Sequence, residues 1–180
     1  DIVSCDFDAD GYRLPTVAEC EYAVREGGKL FDEFFATVHY GNVRDESYEN
    51  EYPDTWGEAP FADHDDGFGH TAPVGSFAPN ELGLYDMSGN VSEICWDCKD
   101  YYQAGYEEQP RNPRGAPNTA ANNESRAIRG PNWAGQVSSF GFLPKPDDAG
   151  YELDWGVTMY WTSKRTIPWV GFRLARSVVE

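Results

Sequence analysis

Apolar positions along this chain recur with a helical period in only one place. Leu14-Pro15-Thr16 sets a threonine ahead of Val17-Ala18-Glu19, and Glu19 stands three residues after Thr16, the spacing of a capping box. Ala18, Tyr22 and Val24 then make an apolar stripe, and Gly27-Gly28 ends it, so one helix is predicted between Thr16 and Gly27. Residues 30–38 are apolar enough for a short helix or a packed turn. Residues 42–69 are acidic, aromatic and rich in turn formers, and read as an ordered irregular loop. A loop of that length is uncommon unless something organises it, and a metal ion is one candidate. Pro73-Val74-Gly75-Ser76-Phe77 reads as extended, Ser88-Gly89-Asn90 as a turn, and residues 91–96 as a strand because valine, isoleucine and tryptophan favour one. Residues 103–125 read as a surface loop; 126–130 and 170–175 read as strands. No repeat and no linker divides the chain, so residues 1–180 are expected to form one domain.

Composition bounds what such a domain can do. Glycine (18), proline (12), tryptophan (6), tyrosine (11) and phenylalanine (10) are all plentiful, a mixture that suits a loop-rich fold with aromatic anchors. The net charge of −17 repels phosphate backbones and no basic stripe offsets it, so nucleic-acid binding is not expected. Clustered carboxylates suit divalent cations, and equally suit a solvated surface. No apolar run approaches the roughly 20 residues of a membrane span, so no membrane insertion by this segment is expected. The chain opens on Asp1-Ile2-Val3-Ser4-Cys5, which reads as a processed product or part of a longer protein.

Cysteines stand at Cys5, Cys20, Cys95 and Cys98, the last two as a Cys-x-x-Cys. Without a helix opening on Cys95 this spacing is weak evidence for redox chemistry. Structural disulfides, buried thiols and half of a zinc site all remain open from spacing alone.

A larger pattern runs through the chain. Gly11-Tyr12-Arg13-Leu14-Pro15-Thr16 with Ala18-Glu19 and Glu21-Tyr22-Ala23, His70-Thr71-Ala72-Pro73-Val74-Gly75-Ser76-Phe77, Gly83-Leu84-Tyr85-Asp86-Met87, Gly89-Asn90-Val91 with Glu93, Arg129-Gly130, and Gly171-Phe172-Arg173-Leu174-Ala175-Arg176 occur in one order. The ordered set resembles the formylglycine-generating-enzyme (sulfatase-modifying-factor) family. That resemblance implies an α+β, C-type-lectin-like fold, loop-rich, with short antiparallel strands and few helices. The family segment that precedes the Tyr-Arg-Leu-Pro-Thr motif is not seen in this sequence, so its strands are expected either on a separate piece or not at all, in a minimal version of the fold.

The resemblance also implies two structural calcium sites. The first takes Asn42, the Val43 carbonyl, Asp66 and the Phe68 carbonyl; the second takes Asp86, the Gly89 and Val91 carbonyls, and Glu93. Calcium accepts six to eight oxygen ligands, and tight turns let carbonyls and carboxylates converge. The same residues can instead cap turns without metal. Catalysis does not carry over. The enzymes of this family bind copper through a cysteine pair, and the two positions fall on Gly135 and Phe140, neither of which ligates a soft metal. No copper and no catalytic residue is therefore expected. Cys20 and Cys98 stand where relatives have tryptophan, which implies the pairing Cys20–Cys98 beside Cys5–Cys95. His64 and His70 flank Asp65-Asp66, so an iron or zinc site is the enzymatic alternative, against surface histidines in an acidic loop.

Between residues 131 and 170 the family likeness fades while aromatics accumulate without a period. Surface aromatics supply rigid contact area, so Trp133, Gln136, Phe140, Phe142, Trp155, Thr158, Met159, Tyr160, Trp161, Ile167 and Trp169 are candidate ligand-binding residues. Packing of Trp133 and Trp169 in the core is the competing reading. The arrangement looks like that of the variable proteins of diversity-generating retroelements, in which this stretch is randomised and displayed. A non-catalytic domain that binds a protein ligand, extracellular or at a cell surface, is the expectation that follows.

Overall fold

Thr16 starts helix α1 (Val17–Val24) through both halves of the capping box: its side chain accepts from the Glu19 N–H, and the Glu19 carboxylate accepts from the Thr16 N–H. The computed structural model describes residues 5–27, 41–53, 65–98, 125–135, 160–162 and 168–177. Ahead of α1 runs a short strand, β1 (Gly11–Arg13). Arg13 clamps the Glu19 carboxylate with two hydrogen bonds of 2.7 and 2.6 Å. Burial works against that carboxylate, but Arg13 and the Thr16 N–H outweigh it and hold its pKa below the usual range.

The helix packs on a four-stranded sheet in the order β4-β3-β2-β5, made of β2 (Ser92–Cys98), β3 (Ser125–Arg129), β4 (Tyr160–Thr162) and β5 (Val170–Gly171). β2 and β3 pair antiparallel, as do β3 and β4, whereas β2 and β5 run parallel. A final strand, β6 (Ala175–Ser177), returns to pair antiparallel with β1, so the two ends of the described chain close on each other. The predicted strand over 170–175 is thus two strands serving two different sheets.

The buried face of α1 differs from the predicted stripe. Val17 (0% exposed) and Cys20 (5%) point inward, while Tyr22 is 59% exposed. The reason is how the helix is seated on β2. The Val17 N–H donates to the Asp97 carboxylate at 2.6 Å, and the Trp96 N–H donates to the Pro15 carbonyl at 2.8 Å. These bonds set the rotation of the helix, and Val17 and Cys20 meet Cys95 and Ala127 in one buried cluster. The implied cysteine pairing also differs. Cys20 and Cys95 face each other as thiols with their sulfurs 3.4 Å apart, a contact that the implied pairing does not contain. The side chain of Cys98 lies outside the described residues.

The stretch 42–69 is not wholly irregular. Asp45 caps a short helix, α2 (Glu46–Glu51), by accepting from the Tyr48 N–H. Residues 54–64 of that stretch lie outside the described residues, as does the apolar segment 30–38.

Candidate functional site

Two loops interlock beside β2. The Gly41 N–H donates to the Ser88 carbonyl at 3.0 Å, and the Asn90 N–H donates to the Asn42 carbonyl at 2.6 Å. Gly89 sits between them with φ +144°, and a Cβ on it would lie 2.5 Å from the Asn42 carbonyl oxygen. Asn90, itself at φ +70°, ties in a third segment by exchanging hydrogen bonds of 3.0 and 3.2 Å between its side-chain amide and the Ala72 backbone. The Asn90 carbonyl then accepts from the Trp133 N–H at 3.0 Å. These bonds put both predicted calcium sets, and the start of the 131–170 segment, around one loop crossing.

The residues of the first set come together, with the N–H groups of Val43 and Phe68, rather than their carbonyls, directed at Asp66. Asp66 accepts from the Val43 N–H at 3.1 Å and from the Phe68 N–H at 2.8 Å. Asn42 is fully buried; its Nδ2 donates to the His70 carbonyl, but its Oδ1 has no donor. An unpaired buried acceptor costs on the order of 1–3 kcal/mol. A cation or a water at Asn42 Oδ1 removes that cost, and the oxygen donors of this set are of the kind that calcium takes.

The second set also converges. Asp86, Gly89, Val91 and Glu93 line one small cavity, together with Cys20 and Met87. Asp86 lies at φ +54°, its Oδ2 accepts from the Gly75 N–H at 2.8 Å, and its Oδ1 is a second buried acceptor without a donor. Glu93 is engaged differently. Arg173 forks onto both of its oxygens and also reaches the Asp86 carbonyl at 3.2 Å. Burial raises the Glu93 carboxyl above its usual range even though Arg173 pulls it down. Asp86 therefore fits a cation, while an ion that took Glu93 would share it with Arg173. Among the described residues, no three His, Cys, Asp or Glu side chains form a metal-sized group, so any cation held there relies on amide and carbonyl oxygens as well. His70 contacts the Tyr52 hydroxyl at 2.6 Å and Glu51 at 2.9 Å; His39 and His64 lie outside the described residues.

Trp133 is packed inside rather than displayed. It is 8% exposed, with ring centroids 4.9 Å from His70, 5.8 Å from Tyr48 and 6.1 Å from Tyr52. Trp169 is half-buried, and its carbonyl accepts from the Ser92 N–H at 2.9 Å. Tyr160 and Trp161 belong to β4 through their backbones, opposite Ala127 and Arg126. Gln136, Phe140, Phe142, Trp155, Thr158, Met159 and Ile167 lie outside the described residues. Gly135 is held in place, with its N–H on the Asn132 carbonyl and its own carbonyl accepting from the Arg44 N–H.

Sequence reasoning passed over Asp45 and Arg173. Asp45 is fully buried and its second oxygen accepts from the Asp66 N–H, joining α2 to the first cation loop. An aspartate just before Glu46 and Glu49 is an N-cap signal that would have revealed it. Nothing local marks Arg173 as the partner of Glu93, 80 residues away.

A family model, the sulfatase-modifying factor enzyme 1-like domain, matches residues 3–178. The chain belongs to the formylglycine-generating-enzyme (sulfatase-modifying-factor) family. Among its relatives, chaperone protein LppX of Paenibacillus barcinonensis is 34% identical over 142 residues, covering 76% of this chain and 44% of that protein. The formylglycine-generating enzyme of Bos taurus is 38% identical over 111 residues (59% and 27%). The inactive C-alpha-formylglycine-generating enzyme 2 of Bos taurus is 32% identical over 128 residues (68% and 33%). The chain thus spans less than half the length of these curated relatives. Among solved structures, PvdO from Pseudomonas aeruginosa superposes with TM-score 0.53 at 27% identity, over 94% of this chain and 54% of that one. Treponema denticola variable protein 1 superposes with TM-score 0.50 at 24% identity, over 96% and 50%, a likeness of fold. The family member described here has their C-type-lectin-like fold, loop-rich with few helices, and one of its strand pairings is parallel. The family includes relatives named as inactive as well as enzymes.

Proposed function

We propose that this domain binds a ligand and does not catalyse, and that residues 131–170 form a diversified recognition surface on a calcium-stabilised lectin-type scaffold. The observation that carries the reading is at Gly135, the position matched to the first of the family's two copper-binding cysteines. Gly135 has no side chain, and a Cβ there would lie 3.3 Å from the Asn132 amide. Phe140 stands at the second position, so neither supplies a thiolate. Calcium in the reading rests on the two donor-less buried acceptors, Asn42 Oδ1 and Asp86 Oδ1. The likeness in fold to a variable protein is compatible with the display role; a protein ligand and an extracellular or cell-surface setting are part of the same proposal.

The test has two arms. A cysteine-containing sulfatase peptide incubated with the protein, copper and dioxygen is expected to yield no aldehyde; turnover, or copper bound at one equivalent, overturns the non-catalytic reading. Sequencing several copies of the gene is expected to show substitutions concentrated in codons 131–170 around unchanged motifs. Uniform divergence along the chain overturns the diversified surface.

A further inference from the structure

Cys20 and Cys95 form a buried pair that the binding reading leaves unused. Cys20 lies on α1 and Cys95 on the central strand β2, with their sulfurs 3.4 Å apart. Both are buried, at 5% and 0% exposure, against Val17 and Ala127. Two further ties fix the backbones that carry them: the Val17 N–H on Asp97, and the Trp96 N–H on the Pro15 carbonyl. The sulfurs therefore meet because helix and strand are already docked. The sulfurs stand at 3.4 Å and an S–S bond is roughly 2.05 Å, so the two have to close by about 1.4 Å.

We propose that Cys20 and Cys95 are the native cross-linking pair of this domain and join α1 to β2 as a disulfide under oxidising conditions. The pairing is not the one that the family comparison of cysteine positions implies. The chemistry is thiol–disulfide exchange with a small-molecule disulfide as oxidant. Cys20 is 5% exposed and Cys95 0%, so Cys20 is the sulfur that an oxidant meets first. Its thiolate attacks the small disulfide, forming a mixed disulfide and releasing one small thiolate. Cys95 then attacks the Cys20 sulfur, the protein S–S bond forms, and the second small thiolate leaves. The two protein sulfurs give up two electrons to the small disulfide, and their two protons go to the two released thiolates.

The cross-link joins residues 75 apart in sequence. Long loops give the larger stabilisation, and for a domain of this size oxidation is expected to raise Tm by on the order of 10 °C. The experiment refolds the full chain with reduced and oxidised glutathione, traps remaining thiols by alkylation, and maps peptides by mass. The digestion must cut at Arg13 and at Trp96 or Asp97, so that Cys20 separates from Cys5 and Cys95 from Cys98. The expected result is one peptide pair joining Cys20 to Cys95, with Cys20→Ser and Cys95→Ser each abolishing the Tm rise. A double variant Cys5→Ser/Cys98→Ser is expected to keep both the link and the rise. Linkage of Cys20 to Cys98 or of Cys95 to Cys5, or recovery of Cys20 and Cys95 both alkylated after oxidation, overturns the proposal.

Discussion

Asp97 is fully buried on β2, one of its oxygens takes the Val17 N–H, and the other has no donor. Burial is the largest influence on its carboxyl and pushes the pKa up to about 6, against the help of the Val17 N–H. A raised carboxyl pKa means the folded state holds the proton more tightly than the unfolded chain. Its contribution to stability is therefore complete below about pH 4 and lost as pH rises through about 6. Replacing it by asparagine keeps an acceptor for Val17 and removes the titration. Relative to the parent, Asp97→Asn is expected to gain roughly 2–3 kcal/mol between pH 4 and pH 7, read from denaturant unfolding at each pH. Gly89 is the other single residue on which the site turns. Its φ of +144° is open to glycine almost alone, and any Cβ would strike the Asn42 backbone. Gly89→Ala is expected to cost about 2–4 kcal/mol in the same measurement and to loosen both cation loops.

At the scale of elements, α1 shows what a local code does and does not carry. Thr16 and Glu19 announce the start of the helix, because a capping box is a contact between residues three apart. Thr16→Ala is expected to cost about 1 kcal/mol, observed as a lower urea midpoint with an unchanged slope. Which face the helix buries was not readable from the chain. Ala18 and Tyr22 make as good a stripe as Val17 and Cys20, and Asp97, 80 residues from Val17, decides between them. The strands divide the same way. Residues 91–96 declare β2 through their side chains. β5 is two residues long and is defined by its parallel partner, with Ser92 opposite Val170. So short a strand has no periodicity of its own.

For the whole molecule, the loop crossing joins segments from residues 41–45, 66–72, 86–91 and 130–135 without a sheet to order them. Such loops hold together through buried polar contacts, and two acceptors among them lack a donor. If calcium supplies the missing partner, millimolar calcium raises Tm by several degrees and a chelator reverses the rise, since a ligand that binds only the folded state stabilises it by mass action. Asn42→Ala and Asp86→Ala are each expected to shrink that response, and a Tm indifferent to calcium in the parent protein contradicts the calcium reading. Arg173 ties the carboxy-terminal motif to the same crossing through Glu93 and the Tyr85 and Asp86 carbonyls. Arg173→Met is therefore expected to destabilise the domain by about 3 kcal/mol or more, because it leaves a buried carboxylate without its partner.

The sequence by itself determined the family, the start of α1, and the identity of β2 and β3. Each is either a contact between near neighbours or an ordered run of motifs, so the linear text carries it. Tertiary structure alone decided that Cys20 meets Cys95, that Asp45 and Arg173 hold the site, and that Trp133 is an interior ring. Those outcomes depend on which distant segments dock, and docking is set by the sum of many contacts across the fold. No single stretch of chain contains that sum.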